Sequence, residues 1–192
     1  RVEGVYIAQV DKDKKPIPET EEFIPCDTLL LSVGLIPENE LSRGADVKIS
    51  RITNGPEVNQ YMQTSWDNVF ACGNVVHVND LVDNVTVESM NAGAARYAMH
   101  KLPEANREVP SVTGENVRYL CPQRVKIGEE NETVRLFFRV LHPELDVVIR
   151  VKSGDKVLSE KKAKRVNPGE MCHVEVKTAE ITGDDVMVEV VK

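Results

Sequence analysis

The chain has 192 residues, 41% hydrophobic and 29% charged, with a formal net charge of −7. That is the composition of a soluble globular protein, with enough chain for one large domain or two small ones. It excludes a membrane-spanning helix, since no run approaches the roughly 20 apolar residues required. It also argues against nucleic acid, since no basic stripe is present to neutralise phosphates.

The charge is uneven: residues 1–103 carry 9 basic and 15 acidic side chains, hence −6 of the −7. This asymmetry suggests two units. Cys26, Cys72, Cys121 and Cys172 are scattered, without a CxxC pair, which disfavours zinc and dithiol chemistry and implies no disulfide framework. With no signal-peptide pattern, the expected location is cytoplasmic. The chain opens on Arg1 directly into an alternating segment, so a preceding segment is expected.

In chain order, Val2 to Val10 alternates as a strand, "KDKKP" is a charged turn, and "EEFIPC" resumes an extended run. "DTLLLSVG" is continuously apolar and ends at Gly34, as expected of a strand covered on both faces in a parallel or mixed sheet. "PENEL" reads as a short helical turn and "VFAC" as a second fully apolar strand. Asn84 to Leu102 forms the best helix, capped by Asn84, with Glu88 in an early turn, Lys101 near its end and Pro103 stopping it. Val87, Met90 or Asn91, Ala94 and Ala98 are expected to share its buried face.

From Pro103 the composition becomes Pro-rich and polar, as in a linker. Beyond it the pattern is all-β. Val134, Leu136, Phe138 and Val140 alternate, as do Val147, Ile149 and Val151, then Cys172, Val174 and Val176, then Val186, Val188 and Val190. Turns fall at Ser153 to Asp155, Asn167 to Gly169 and Thr182 to Asp185. About seven short strands suggest a small immunoglobulin-like or fibronectin-like sandwich. The expected organisation is an α/β region over 1–103, a linker over 104–115 and a β-sandwich over 116–192.

"CDTLLLSVGLIPENEL", followed by "TSWDNVFACGNVVHVNDLVDNVTVESMNAGAARYAM", resembles the C-terminal portion of the pyridine nucleotide-disulfide oxidoreductase superfamily. These flavoproteins carry FAD and NAD(P)H on two related α/β domains, the NAD domain being inserted into the FAD domain. The resemblance covers roughly residues 1–102. It implies that the segment from Asp27 to Pro37 leaves the NAD domain, with Gly34 letting the backbone pass close to a cofactor or neighbouring domain. It further implies that Thr64, Ala71, Gly73 and Asn74 match the motif that brings a polar side chain to the ribitol of FAD.

In this resemblance Gly73 clears space for the cofactor and Asn74 hydrogen-bonds it. A helix from about Val85 directs free N–H groups, Thr86 and Val87 among them, at the flavin ring. Asn74 stands where Asp is usual, so a polar contact survives but the negative charge does not. Neither glycine-rich dinucleotide fingerprint is present, nor the CxxC of the disulfide reductases. The chain therefore reads as the C-terminal fragment of an FAD- and NAD(P)-dependent oxidoreductase, holding part of an FAD site and inactive alone. Its first expected partner is the N-terminal part of its own chain, and the electron acceptor is unspecified.

A reading of another class makes the chain an interaction module whose sandwich docks a partner subunit, with the α/β part as scaffold. A third is an unrelated α+β protein with a coincidental Ala-Cys-Gly-Asn. No catalytic residue and no metal-ligand set emerges. His77, Asn79, Asp80 and Asp83 cluster in the loop after the strand and read as solvated polarity ahead of metal ligands or an acid–base pair, while the flavoprotein resemblance would put this loop, and His77, near the ring; Cys72 reads as a small core residue, and His100, His142 and His173 lack triad partners. Incomplete nucleotide domains would expose sheet edges, so self-association is expected. Light scattering should detect species larger than the 21.4 kDa monomer; a clean monomer would contradict this.

Overall fold

The β-alternation at the N-terminus produces a short hairpin in the computed structural model, which describes residues 1–32, 34–97, 105–128 and 131–192. The chain divides into two compact units, Arg1–Leu35 and Ile36–Lys192.

In the first unit β1 (Gly4–Ile7) pairs antiparallel with β2 (Glu22–Pro25), Gly4 opposite Pro25 and Ile7 opposite Glu22. The Tyr6 and Phe23 rings meet at 5.0 Å between centroids. The connection is tightened at "KDKKP", where Asp11 and Lys15 are bonded through the main chain at 2.9 Å and Lys14 takes φ 61°. Thr20 Oγ1 accepts the Gln9 N–H at 2.8 Å and donates to the Ile17 carbonyl at 2.7 Å. No described residue of this unit is buried.

The strand expected at "DTLLLSVG" is not formed over its described residues, and Leu30 and Leu31 are 90% and 74% exposed. The reason is physical: a doubly covered strand exists only between hydrogen-bonded neighbours, and β1 and β2 pair with each other alone. Val33 lies outside the described residues.

The second unit contains two helices, α1 (Glu40–Gly44) and α2 (Val82–Tyr97), and eight described strands. These are β3 (Ala105–Thr113), β4 (Val117–Cys121), β5 (Arg124–Gly128), β6 (Thr133–Val140), β7 (Glu144–Ser153), β8 (Lys156–Val166), β9 (Cys172–Lys177) and β10 (Val186–Val191). They form a five-stranded sheet in the order β5-β3-β10-β7-β8 and a three-stranded sheet in the order β4-β6-β9. The pair β3 and β10 runs parallel, and the other described pairs are antiparallel.

Both sheets contribute to one apolar core. Val134, Leu136, Phe138 and Val140 of β6 meet Val147, Ile149 and Val151 of β7, Val174 and Val176 of β9, and Val186, Val188 and Val190 of β10. These are the alternating positions of the sequence, with Cys172 half-buried at the edge of the cluster. Ala105–Thr113, in the stretch expected to be a linker, is β3. Val109 alone is fully buried there, and main-chain pairing to both β5 and β10 compensates for its weak apolar pattern.

A second, smaller core lies on the other face of the three-stranded sheet. Val58, Met62, Val76 and Ala92 pack with Tyr119 and Cys121, flanked by Phe70, Ala71, Cys72 and Val75. This face buries Phe137 as well, which breaks the simple alternation of β6. Main-chain bonds fix the junction: Gln123 N–H donates to the Val58 carbonyl at 3.0 Å, and the Gln123 side-chain oxygen accepts the Val58 N–H at 2.9 Å. Gln60 likewise donates to the Lys126 carbonyl and accepts the Lys126 N–H, at 2.7 and 2.9 Å.

The expected helix begins at Val82 instead of Asn84, and its expected end beyond Tyr97, with Ala98, His100, Lys101 and the stop at Pro103, lies outside the described residues. Its buried face is Glu88, Ala92 and Ala95, not the stripe of Val87, Asn91 and Ala94. Apolarity pointed to one face, but the partners of a buried carboxylate selected the next. No described helix is long and apolar enough to cross a membrane.

Leu136 is fully buried (0% exposed) in the larger core. Leu136→Ala should cost about 2–5 kcal/mol through lost burial and a residual cavity. Exposed Lys162→Ala on β8 should stay within about 0.5 kcal/mol of wild type. Urea titration of both variants checks the contrast.

Candidate functional site

The stretch from Asn68 to Asn74 is not a sheet strand. It is the return arm of a narrow hairpin in which Thr64 N–H bonds the Val69 carbonyl and Ala71 N–H bonds the Met62 carbonyl, both at 2.9 Å. Gln63 and Phe70 form an isolated bridge between the arms. The fully apolar "VFAC" reads as a strand, but among the described residues its pairing is this local one. Thr64 is buried, and its hydroxyl oxygen accepts the Trp66 N–H at 3.2 Å, setting the turn.

The hairpin ends at Gly73, which is buried at φ +72° and opens a single 3-10 turn, Gly73–Val75. A left-handed φ favours glycine, and space demands it too: a Cβ would lie 3.0 Å from Val85 Cγ1 of α2. The close approach allowed by Gly73 is thus to α2. Its N–H donates to Glu88 Oε2 at 2.7 Å. Asn74 is exposed beside it, and its Oδ1 accepts the Asn79 N–H at 3.0 Å, closing the loop 74–79.

Glu88 is the centre of the arrangement. Its second oxygen, Oε1, lies 2.7 Å from His77 Nε2, and each of the two residues is 1% exposed. His77 was expected in solvent; it is instead wedged against the sheet, with Tyr119 edge-on at 6.0 Å and Phe137 tilted at 5.9 Å between centroids. Its Nδ1 has no hydrogen-bond partner of ordinary geometry among the described residues. Burial disfavours the charged ring, but the neighbouring Cys121 and the Glu88 carboxylate overcome it, and the His77 pKa is pushed up to about 11. The Glu88 side chain at 2.7 Å thus favours the protonated form of the ring.

The other loop carboxylate, Asp80, is an anchor as well. It pairs with Arg139 of β6 and accepts the Met171 N–H at 2.6 Å. Arg139 also donates to the Val78 carbonyl at 3.2 Å. Only Asp83 of the four loop residues read as solvated has no such tie, and it stands in the exposed first turn of α2.

Of the residues singled out from sequence, Gly73, Asn74 and Val85 are brought together. Thr86 and Val87 follow on α2, both exposed, and the Thr86 hydroxyl donates to the Val82 carbonyl at 3.1 Å. With the helix starting at Val82, the amides of Thr86 and Val87 lie inside its hydrogen-bond ladder. Asn84 N–H bonds the Leu81 carbonyl at 3.1 Å, and the first-turn amides of Val82 and Asp83 have no partner among the described residues. Gly34 belongs to the first unit, at φ +88° with nothing within 4 Å of a Cβ position.

Sequence reasoning did not find the His77–Glu88 pair. The two are 11 residues apart in chain positions that read as loop and helix surface, and no spacing rule links them. Beside α2 an open cavity of about 800 Å³ is lined by Met62, Val87, Asn91, Ala94 and Phe137. Its rim carries Tyr61, whose hydroxyl donates to Glu132 at 2.5 Å. The described residues contain no group of three or more His, Cys, Asp or Glu placed to hold a metal ion.

The unfolded-state histidine titrates near 6.5 and the folded one near 11, so the stabilisation by His77 is complete below about pH 6.5 and is lost as pH rises toward about 11. Urea titrations between pH 6 and 10 should show wild type losing stability relative to His77→Gln, by on the order of 1 kcal/mol per pH unit. A difference independent of pH would refute the assignment.

Residues 2–94 match the family model of the pyridine nucleotide-disulphide oxidoreductases. No curated protein and no solved structure matched the chain. The matched segment contains the hairpin, the Gly73 bend and most of α2, and it supports the pyridine nucleotide-disulphide oxidoreductase family for this part of the chain.

Proposed function

We propose that this chain is the C-terminal part of an FAD- and NAD(P)-dependent oxidoreductase, joined to an immunoglobulin-like β-sandwich, and that it works in the cytoplasm. The observation that carries the reading is the family match over residues 2–94, which ends within α2 after spanning the bend at Gly73.

The residues present fit an edge of an FAD site. Asn74 is exposed; Asn79 uses its Oδ1, and its side-chain nitrogen has no partner among the described residues. The first turn of α2, whose Val82 and Asp83 amides have no partner among the described residues, follows the same loop. That end of a 16-residue helix carries partial positive charge. FAD, when bound, supplies hydride acceptance from the nicotinamide and passes the electrons on to an acceptor.

Within this division of labour, Asn74 would hold a hydroxyl of the cofactor, and the first turn of α2 would favour negative charge nearby. Gly73 would not touch the cofactor through its N–H, because Glu88 occupies that donor. Asn in place of a carboxylate removes a negative charge from the contact, which favours a higher flavin potential.

The unfinished apolar stretch at Leu29 to Leu31 supports the same reading, since its composition suits a central strand with partners on both sides. The full-length protein should purify yellow, or bind FAD on reconstitution, and bleach with NADH or NADPH. A colourless full-length protein that cannot be reconstituted would defeat the proposal.

A further inference from the structure

The bend that carries Asn74 is held by one buried side chain on a different element. Glu88 Oε2 takes the Gly73 N–H and Oε1 takes His77 Nε2, each at 2.7 Å. Gly73 and His77 are the residues just before and three after Asn74, so one carboxylate grips both sides of the proposed cofactor contact. The far side of the His77 ring rests on Tyr119 of β4 and Phe137 of β6. The remaining loop is tied by Asn79 N–H to Asn74 Oδ1 and by Asp80 to Arg139 and the Met171 amide.

We infer that Glu88 is a positioning residue for the flavin contact, transmitting the fixed position of the three-stranded sheet, through His77 and the Gly73 amide, to the side chain of Asn74. The all-β region is then the backing wall of the site and not an independent appendage. This rests on the FAD reading given above, but its geometric part does not. A carboxylate with both oxygens committed resists movement, because releasing either bond leaves a buried charge or a buried amide unpaired. Asn74 itself is exposed and has one internal bond, so its orientation depends on the bend beneath it.

The experiment has two arms and two variants, Glu88→Gln and His77→Gln, with exposed Lys162→Ala as control. In the first arm, amide hydrogen exchange is followed on the 192-residue chain. Both variants should speed exchange at Gly73 and Asn79 by about tenfold or more, while amides of β7 and β10 keep wild-type rates. Unchanged exchange at Gly73 and Asn79, or equal acceleration throughout the sheets, would overturn the inference.

In the second arm the full-length flavoprotein is titrated with FAD and its midpoint potential is measured. Glu88→Gln should weaken FAD binding by about tenfold and shift the potential, and Lys162→Ala should do neither. Altered exchange with unchanged FAD affinity and potential would leave a purely structural clasp and overturn the positioning role. If the wild-type protein binds no FAD, the proposed function fails, and the positioning role toward the cofactor fails with it, whatever the first arm shows.

Discussion

The second unit depends on what surrounds the Glu88 carboxylate. A buried carboxylate is costly unless it is paired and hydrogen-bonded, and Glu88 meets the His77 ring on one oxygen and a main-chain N–H on the other. That requirement fixes the phase of α2, forces the left-handed bend at Gly73, and draws His77 out of solvent. Such a pair adds little net stability compared with apolar packing of the same volume, but losing one partner strands a buried charge at a cost of about 3–5 kcal/mol. Its main effect is therefore specificity: one arrangement of loop and helix is allowed, and neighbouring ones are penalised.

The same logic extends along the junction between residues 58–80 and the segment from Gln123 through β5. Gln60 uses both ends of its side-chain amide to copy a main-chain pairing with Lys126, and Gln123 pairs with Val58 through its own N–H and its side-chain oxygen. Lys126 Nζ also donates to Gln63 Oε1 at 2.8 Å, and Arg124 donates to the Thr64 carbonyl at 2.9 Å. Beneath this polar seam lies the small core of Val58, Met62, Val76, Ala92, Tyr119 and Cys121. The candidate site is thus built on a face of the β-region, and the loop that carries Asn74 inherits the rigidity of that face.

Much of the β-region was legible because its chemistry is periodic. Val134, Leu136, Phe138 and Val140 are buried as their alternation indicates, and the turn at Ser153 to Asp155 closes with Gly154 at φ +57°. Gly73 was legible as a position of special backbone freedom. What it makes room for was not, since the near contact is Val85 and the amide goes to Glu88. "DTLLLSVG" shows the opposite case: its composition states a clear preference, yet its described residues pair with no neighbouring strand, and apolarity alone does not make a strand.

By itself the sequence determined what local chemistry can encode: the alternating faces of β6, β7, β9 and β10, the glycine at the bend, the existence of α2, and the match of residues 2–94 to a family model. The tertiary structure decided which face of α2 is buried, that Ala105–Thr113 pairs in a sheet, and that His77 is buried against Glu88. The division follows from range. Periodicity and backbone freedom act within a few residues, whereas pairing a buried carboxylate or completing a sheet depends on groups tens of residues away, whose coincidence in space no local pattern records.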